Sequence, residues 1–220
     1  MEITSEIFQI GGSGFTSSED AAIYLINFNG HAAIVDAGCG HHMDILEKNM
    51  RLCNVQPKQI ETLLITHCHF DHTGGAAALQ EKFNCSIVAH SQDAEFLEKG
   101  DDTVTAASWY GERIQLFRVD RKLVGSHEEI RLGDRKITAI HIPGHSPGSV
   151  AYVTESDGMK VVFAQDVHGS LDPSLLSNRK DYLASLEKLI SIKADLLCEG
   201  HYGIYRGKRD VEQFIRSFLM

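Results

Sequence analysis

Short apolar runs, each closed by glycine, asparagine, proline or a histidine-bearing turn, divide this chain into strands and helices. Ile3, Phe8 and Ile10 among polar neighbours predict an edge-side strand over residues 3–10 that stops at Gly11-Gly12. Residues 21–28 predict a second strand. Asn29-Gly30 is a hairpin signal, and it returns the chain into residues 31–35. A helix over residues 44–52 follows, and Pro57 prevents its extension. The run Thr62-Leu63-Leu64-Ile65 is short and partly β-branched, as in a buried strand. Residues 74–83 predict a helix, 85–90 a buried strand, and Ser91 caps a further helix.

The stretch from Gly100 to Gly125 is less regular, carries Trp109 and Tyr110, and reads as an inserted, partly helical segment. Regularity then resumes. Residues 128–132 and 136–142 predict strands around Gly133-Asp134, and 149–154 and 159–164 a hairpin around Ser156-Asp157-Gly158. Tyr182, Leu183, Leu186, Leu189 and Ile190 form one stripe of a helix over residues 181–192. A last strand at 194–198 and a helix at 210–219 close the chain. Each half places antiparallel strands before a helix, and no Pro, Gly or Ser linker separates the halves. The expectation is one α/β domain over residues 1–220, with two sheets and helices outside.

Composition narrows the function. With 43% hydrophobic and 23% charged residues the chain can bury an ordinary soluble core. A net charge of −9 argues against broad binding to nucleic acid or anionic membranes, both of which need a positive face. The local basic residues (Arg113, Arg118, Arg121 and Lys122; Arg206, Lys208 and Arg209) could hold one anionic group of a substrate, with a solvated face the favoured reading. Five scattered cysteines, odd in number, fit reduced thiols rather than a disulfide framework. No signal peptide or bilayer-length apolar run is visible. A cytoplasmic protein with a small-molecule substrate and no nucleic-acid or membrane partner is expected; homo-oligomerisation stays open.

The chemistry concentrates in His67-Cys68-His69-Phe70-Asp71-His72. Residues two apart in an extended chain point the same way. His67 and His69 can therefore reach one metal, with Cys68 turned away, while Asp71 and His72 at a helix start suit a second. Three later apolar runs each end in a donor beside glycine: His145 in Pro143-Gly144-His145-Ser146-Pro147-Gly148, Asp166 after residues 161–165, and His201 after Gly200. His31, His41, His42, His90, His127 and His141 read as structural or surface histidines.

Together these segments resemble the metallo-β-lactamase superfamily. Residues 67–72 match its HxHxDH signature, His145, Asp166 and His201 match its later ligands in order, and Val35-Asp36-Ala37-Gly38 matches its first motif. The resemblance implies a four-layer αββα sandwich with metals at the edge between the sheets. It further implies that His67, His69 and His145 hold one metal, that Asp71, His72 and His201 hold another, and that Asp166 bridges them. The donors, imidazole and carboxylate without thiolate, suit two divalent ions, with zinc the default and iron or manganese open. Such a pair would generate a bridging hydroxide at neutral pH. Asp71 and Asp166 are expected to act in catalysis through the metals. His168, two residues beyond Asp166, is expected to line the pocket or donate a proton. Asp36 is expected to fix a loop rather than ligate, and Cys39, Tyr202 and Tyr205 are weaker candidates to approach the site.

A thiolate leaves more readily than an amide nitrogen, which favours thioester or ester hydrolysis, as in the glyoxalase II branch. Full-length glyoxalase II carries a further helical domain that binds glutathione, and this sequence stops about twenty residues after His201. Lactonases of this fold place tyrosine three residues beyond the bridging aspartate, where this chain has Gly169. A mononuclear iron persulfide dioxygenase, a lactonase or a phosphodiesterase of the same fold are the alternatives. The complete second-metal set disfavours the dioxygenase. The missing secretory signal disfavours a β-lactamase.

Overall fold

The turn signals direct the first strands into a meander. β1 (Ile7–Gly11), β2 (Ile23–Phe28) and β3 (His31–Val35) pair antiparallel. Asn29 at φ 53° and Gly30 at φ 93° supply the two left-handed residues that a tight hairpin of this hand requires. The computed structural model describes residues 1–219. After α1 (Met43–Leu52) the chain crosses over, and β4 (Ile60–Leu64) lies parallel to β3. The short α2 (Phe70–Thr73) and α3 (Ala76–Phe83) lead to β5 (Ser86–His90), parallel again. α4 (Ser91–Lys99) and a 3-10 turn at Ala107–Tyr110 lead to β6 (Arg121–Leu123), which completes a six-stranded sheet in chain order, β1 at its edge.

β7 (His127–Leu132), β8 (Arg135–His141), β9 (Val150–Ser156) and β10 (Met159–Phe163) form a second meander. α5 (Arg179–Ile192) then carries the chain to β11 (Leu196–Cys198), parallel to β10. β12 (Ile204–Arg206) and α6 (Lys208–Arg216) finish it. Alternating side chains of both sheets meet in a shared core that includes Ile7, Tyr24, Phe28 and Leu64 opposite Ile137, Tyr152, Val161 and Phe163. Leu46, Met50, Leu79 and Leu97 seat α1, α3 and α4 on the outer face of the first sheet. Tyr182, Leu186, Leu189, Val211 and Ile215 seat α5 and α6 on the second. The layers run αββα.

Four details differ from the sequence expectation. The helix expected over 74–83 begins only at Ala76, and a separate short α2 precedes it; between them Gly74 and Gly75 lie against the carbonyls of Cys39 and Ala37, where a Cβ would overlap. His90, not Ser91, caps α4: its Nδ1 accepts the Gln92 amide at 3.4 Å. The closing helix begins at Lys208 and ends at Arg216. The irregular segment yields β6, and β12 follows His201; three residues are too few to print a readable alternation. The basic residues Arg118, Arg121, Lys122, Lys208 and Arg209 each pair with a carboxylate, as a solvated face does.

Two buried hydroxyls cross the inter-sheet core to opposite ends of the future site. Tyr24 on the first sheet donates to the Glu199 carbonyl at 2.6 Å, and Tyr152 on the second donates to the Ile65 carbonyl at 2.7 Å. Each holds a strand end just before a donor loop. Both rings are fully buried, so deleting either hydroxyl leaves a carbonyl without this partner. Tyr24→Phe and Tyr152→Phe should each lower stability by about 1–2 kcal/mol in urea unfolding; an unshifted midpoint would remove that hydroxyl from this account.

Candidate metal centre

Beyond β4 the chain bends at Thr66 and runs through His67 to His69, whose extended backbone at φ −67°, ψ 150° caps α2. Asp36, just past β3 and at φ 60°, holds this stretch from behind. Its carboxylate accepts the Thr66 amide at 2.8 Å, the Thr66 hydroxyl at 2.6 Å and His72 Nδ1 at 2.8 Å. With Nδ1 engaged, His72 turns Nε2 towards the other donors. Cys68 faces the opposite way: its thiol donates to the Val104 carbonyl at 3.9 Å, and burial pushes its pKa well up.

A second buried carboxylate, Asp93 in the first turn of α4, joins two loops. It accepts the Cys68 amide at 2.9 Å, the Ser146 hydroxyl at 2.6 Å and the Gly148 amide at 2.6 Å. This fixes the His67–His69 loop against the loop that carries His145. Gly144, at φ 136°, lies so close to the Tyr182 backbone that a Cβ would overlap it. A third buried acid, Glu199, accepts the His201 and Tyr202 amides at 2.7 and 2.8 Å and holds His168 Nδ1 at 2.9 Å.

Asp166, at φ 54° just past β10, stands at the centre. Its Oδ2 lies 3.1 Å from His145 Nε2 and 3.7 Å from His67 Nε2. Its Oδ1 lies 3.3 Å from both His72 Nε2 and His201 Nε2. Asp71 Oδ2 approaches His201 Nε2 at 3.2 Å and His72 Nε2 at 3.6 Å. The donors thus fall into two groups, His67, His69, His145 and Asp166, and Asp71, His72 and His201, each with ligand atoms within 4.8 Å of one another.

These residues fit a divalent cation. The Nε2 atoms of His67, His69, His72 and His145 and Oδ1 of Asp166 are buried without a hydrogen-bond partner; the Asp166 contacts lie within ion-pair range but lack hydrogen-bond alignment. Convergent buried polar atoms without partners are costly in a dry interior unless a metal ion, displacing any proton they carry, meets them. Burial, with neighbouring histidines, holds His67 well below the usual range and His69 down to about 3, so both rings are neutral. Burial alone would raise the Asp166 and Asp71 carboxyls, but His72 and His201, with His145 also beside Asp166, hold them low. Burial alone would lower His72 and His201. Asp71 and Asp166 outweigh it, raising His72 well up and His201 to about 10.

A cavity of about 200 Å³ opens onto these donors. His168 lines it, as do Ala106, Trp109 and Tyr110 from the irregular segment and Ser170 and Leu175 beyond Asp166. Cys39 is not in its wall: the buried thiol donates to the Glu19 carbonyl at 3.3 Å, and burial together with Asp20 raises its pKa. Tyr202 stays outside, its ring 4.8 Å from that of His168, and Tyr205 stacks on Phe214 at 3.9 Å.

Sequence reasoning missed Asp93 and Glu199. Glu199 carried a faint signal, an acid at a strand end before Gly200-His201. Asp93 carried none, reading as an ordinary first-turn acid.

The sequence profile described as the metallo-beta-lactamase superfamily matches residues 19–201. The chain belongs to that superfamily. Superfamily members bind divalent metals, usually zinc, and the relatives matched here are hydrolases by name. The chain is 30% identical over 232 aligned residues to the acyl-coenzyme A thioesterase MBLAC2 of Gallus gallus, spanning 93% of this chain and 80% of that protein. It is 28% identical to the hydroxyacylglutathione hydrolase GloC of Haemophilus influenzae, over 80% of this chain and 81% of that one. In fold it is similar to BJP-1, a subclass B3 metallo-beta-lactamase of Bradyrhizobium japonicum, with TM-score 0.82 at 22% identity, over 99% of this chain and 89% of that one. Among the described residues no helix is long and apolar enough to cross a membrane.

Two outcomes follow from the donor geometry. Because His72 and His201 hold protons above neutrality in the metal-free chain, loading metal should displace them. Calorimetric zinc titrations near pH 7 in buffers of different ionisation enthalpy should read at least about two protons released per chain, one from each ring, with any ionised water adding to them; no release would contradict these charge states. Asp93→Ala should weaken zinc binding by roughly 10–100-fold through its support of the ligand loops. An unchanged affinity in a competition assay with a chromophoric chelator would reduce Asp93 to packing.

Proposed function

We propose that this chain hydrolyses small-molecule thioesters with two divalent metal ions, zinc by default. The observation that carries the reading is the Asp166 carboxylate, whose two oxygens face two separate donor groups beside an open cavity. His67, His69 and His145 would hold one ion, Asp71, His72 and His201 the other, with Asp166 shared. When bound, two such ions supply Lewis acidity and lower the pKa of water so that a nucleophile exists near neutral pH.

The chain's own residues set the rest. Hydrolysis adds water across the acyl carbon–sulfur bond: carbon keeps the oxygen, and sulfur leaves with the bonding pair and takes up a proton. A thiolate departs without prior protonation, so the site needs no strong acid aimed at the leaving group. His168 lines the cavity with Nδ1 fixed on Glu199, which leaves Nε2 as the atom that exchanges a proton with the departing thiolate or with water. Asp71 and Asp166 stay ionised because histidines surround them, and so remain ligands through neutral pH. The thioesterase and hydroxyacylglutathione hydrolase names of two relatives support the thioester over the amide. Gly169, where lactonases place tyrosine, supports it over the lactone.

Elemental analysis should find about two metals per chain, and a panel of thioesters, lactones, phosphodiesters and persulfides should show thioesters turned over best. One tightly held iron with oxygen uptake on a persulfide would overturn the hydrolase reading. Asp166→Ala should lower kcat/KM at least about 10³-fold, the scale of several kcal/mol that metal catalysis supplies, while retaining the far-UV circular dichroism of the fold. Unchanged turnover in that variant would refute the shared-carboxylate assignment.

A further inference from the structure

The cavity at the metal centre holds about 200 Å³, less than the roughly 300–1,000 Å³ of a typical ligand pocket. It can enclose the reacting group and a few further atoms. The rest of any substrate must lie over the rim, and the rim on one side is apolar. Trp109 is 57% exposed and Tyr110 37%, and both line the cavity together with buried Leu175; Leu176, next along the chain, is 48% exposed. Both rim turns also place a non-glycine residue in the left-handed region, Ala106 at φ 59° and Leu176 at φ 57°. Local strain and exposed large side chains at the mouth of one cavity are features that folding alone does not favour.

The charges nearby decide what this rim accepts. Tyr110 packs on Phe70 with centroids 5.4 Å apart, and Phe70 packs on His41 at 6.4 Å. His41 is flanked by Glu19 at 3.6 Å and Glu112 at 3.5 Å. Carboxylates thus lie beyond Phe70 on this side, in a chain of net charge −9. Among the described residues the cavity lining holds no lysine or arginine to meet an anionic thiol carrier. A hydrocarbon chain needs no such cation, and it would cover the indole and leucine surfaces.

Building on the thioesterase reading, we infer that Trp109, Tyr110 and Leu175 form the acyl-chain subsite, so that the preferred substrates are thioesters of medium-length fatty acids rather than of short polar acids. Each methylene added to the acyl group is half covered by the rim. kcat/KM should therefore rise about two-fold per methylene, about half the free-energy gain of full burial.

Trp109 is the sole tryptophan, so its fluorescence reports on the rim without turnover. In the metal-loaded protein, decanoate should shift the emission to shorter wavelength and octanoate should do so more weakly, while coenzyme A alone leaves it in place. In kinetics, kcat/KM should rise roughly 60-fold from acetyl to octanoyl thioesters of one thiol. Trp109→Ala should reduce that ratio at least ten-fold, and Trp109→Phe should restore most of it. Equal kcat/KM for acetyl and octanoyl thioesters would sink the subsite and leave the reaction standing. Decanoate binding at Trp109 with no thioester turned over would keep the subsite and sink the reaction. A blue shift on raising protein concentration alone would overturn the inference by giving the rim to a second copy of the chain, and a shift with coenzyme A alone would overturn it by giving the rim to the thiol carrier.

Discussion

The Asp166 carboxylate is buried, charged and shared. A carboxylate in a dry interior persists only if opposite charge or donors meet both of its oxygens. Here His67 and His145 face one oxygen and His72 and His201 the other, within 3.1 to 3.7 Å. Those four rings arrive from three separate loops, so the carboxylate is meaningful only if the loops are held to a fraction of an ångström. Much of the rest of the molecule can be understood as the means of holding them.

Three further acids, all with no exposed surface, supply that hold. Asp36 fixes Thr66 and His72, Asp93 fixes Cys68, Ser146 and Gly148, and Glu199 fixes His168, His201 and Tyr202. Each accepts at least one backbone amide of a donor loop, and two oxygens on one buried side chain tie several groups to a single point. Tyr24 and Tyr152 extend the same logic across the core between the sheets, each tying the opposite sheet to a strand end that feeds the site. The αββα layering therefore does more than bury apolar surface. It brings strand ends of both sheets to one edge, where residues from the two halves of the chain meet.

What could be read from the sequence follows from how local each signal is. His67 to His72 are six consecutive residues after an apolar run, so their grouping needs no tertiary knowledge. His145, Asp166 and His201 each follow a strand and sit beside glycine, and the family resemblance ordered them. The irregularity of residues 100–125 marked a segment apart from the core, and its Trp109 and Tyr110 do line the cavity. Asp93 stayed hidden because its partners lie 25, 53 and 55 residues away, and a carboxylate at a helix start looks the same whether it faces water or a loop. At the break, Gly74 and Gly75 meet the Cys39 and Ala37 carbonyls, which no local pattern places there. At α4 the rule for caps named Ser91, but the left-over imidazole of His90 took the role.

If the Asp166 carboxylate serves two metal positions, anomalous X-ray diffraction from crystals of the zinc-loaded protein, recorded on both sides of the zinc edge, will show it. Two anomalous peaks are expected at this site, one bounded by His67, His69 and His145 and the other by Asp71, His72 and His201, with Asp166 in contact with both. A single peak, or two peaks of which only one touches Asp166, would contradict the shared carboxylate.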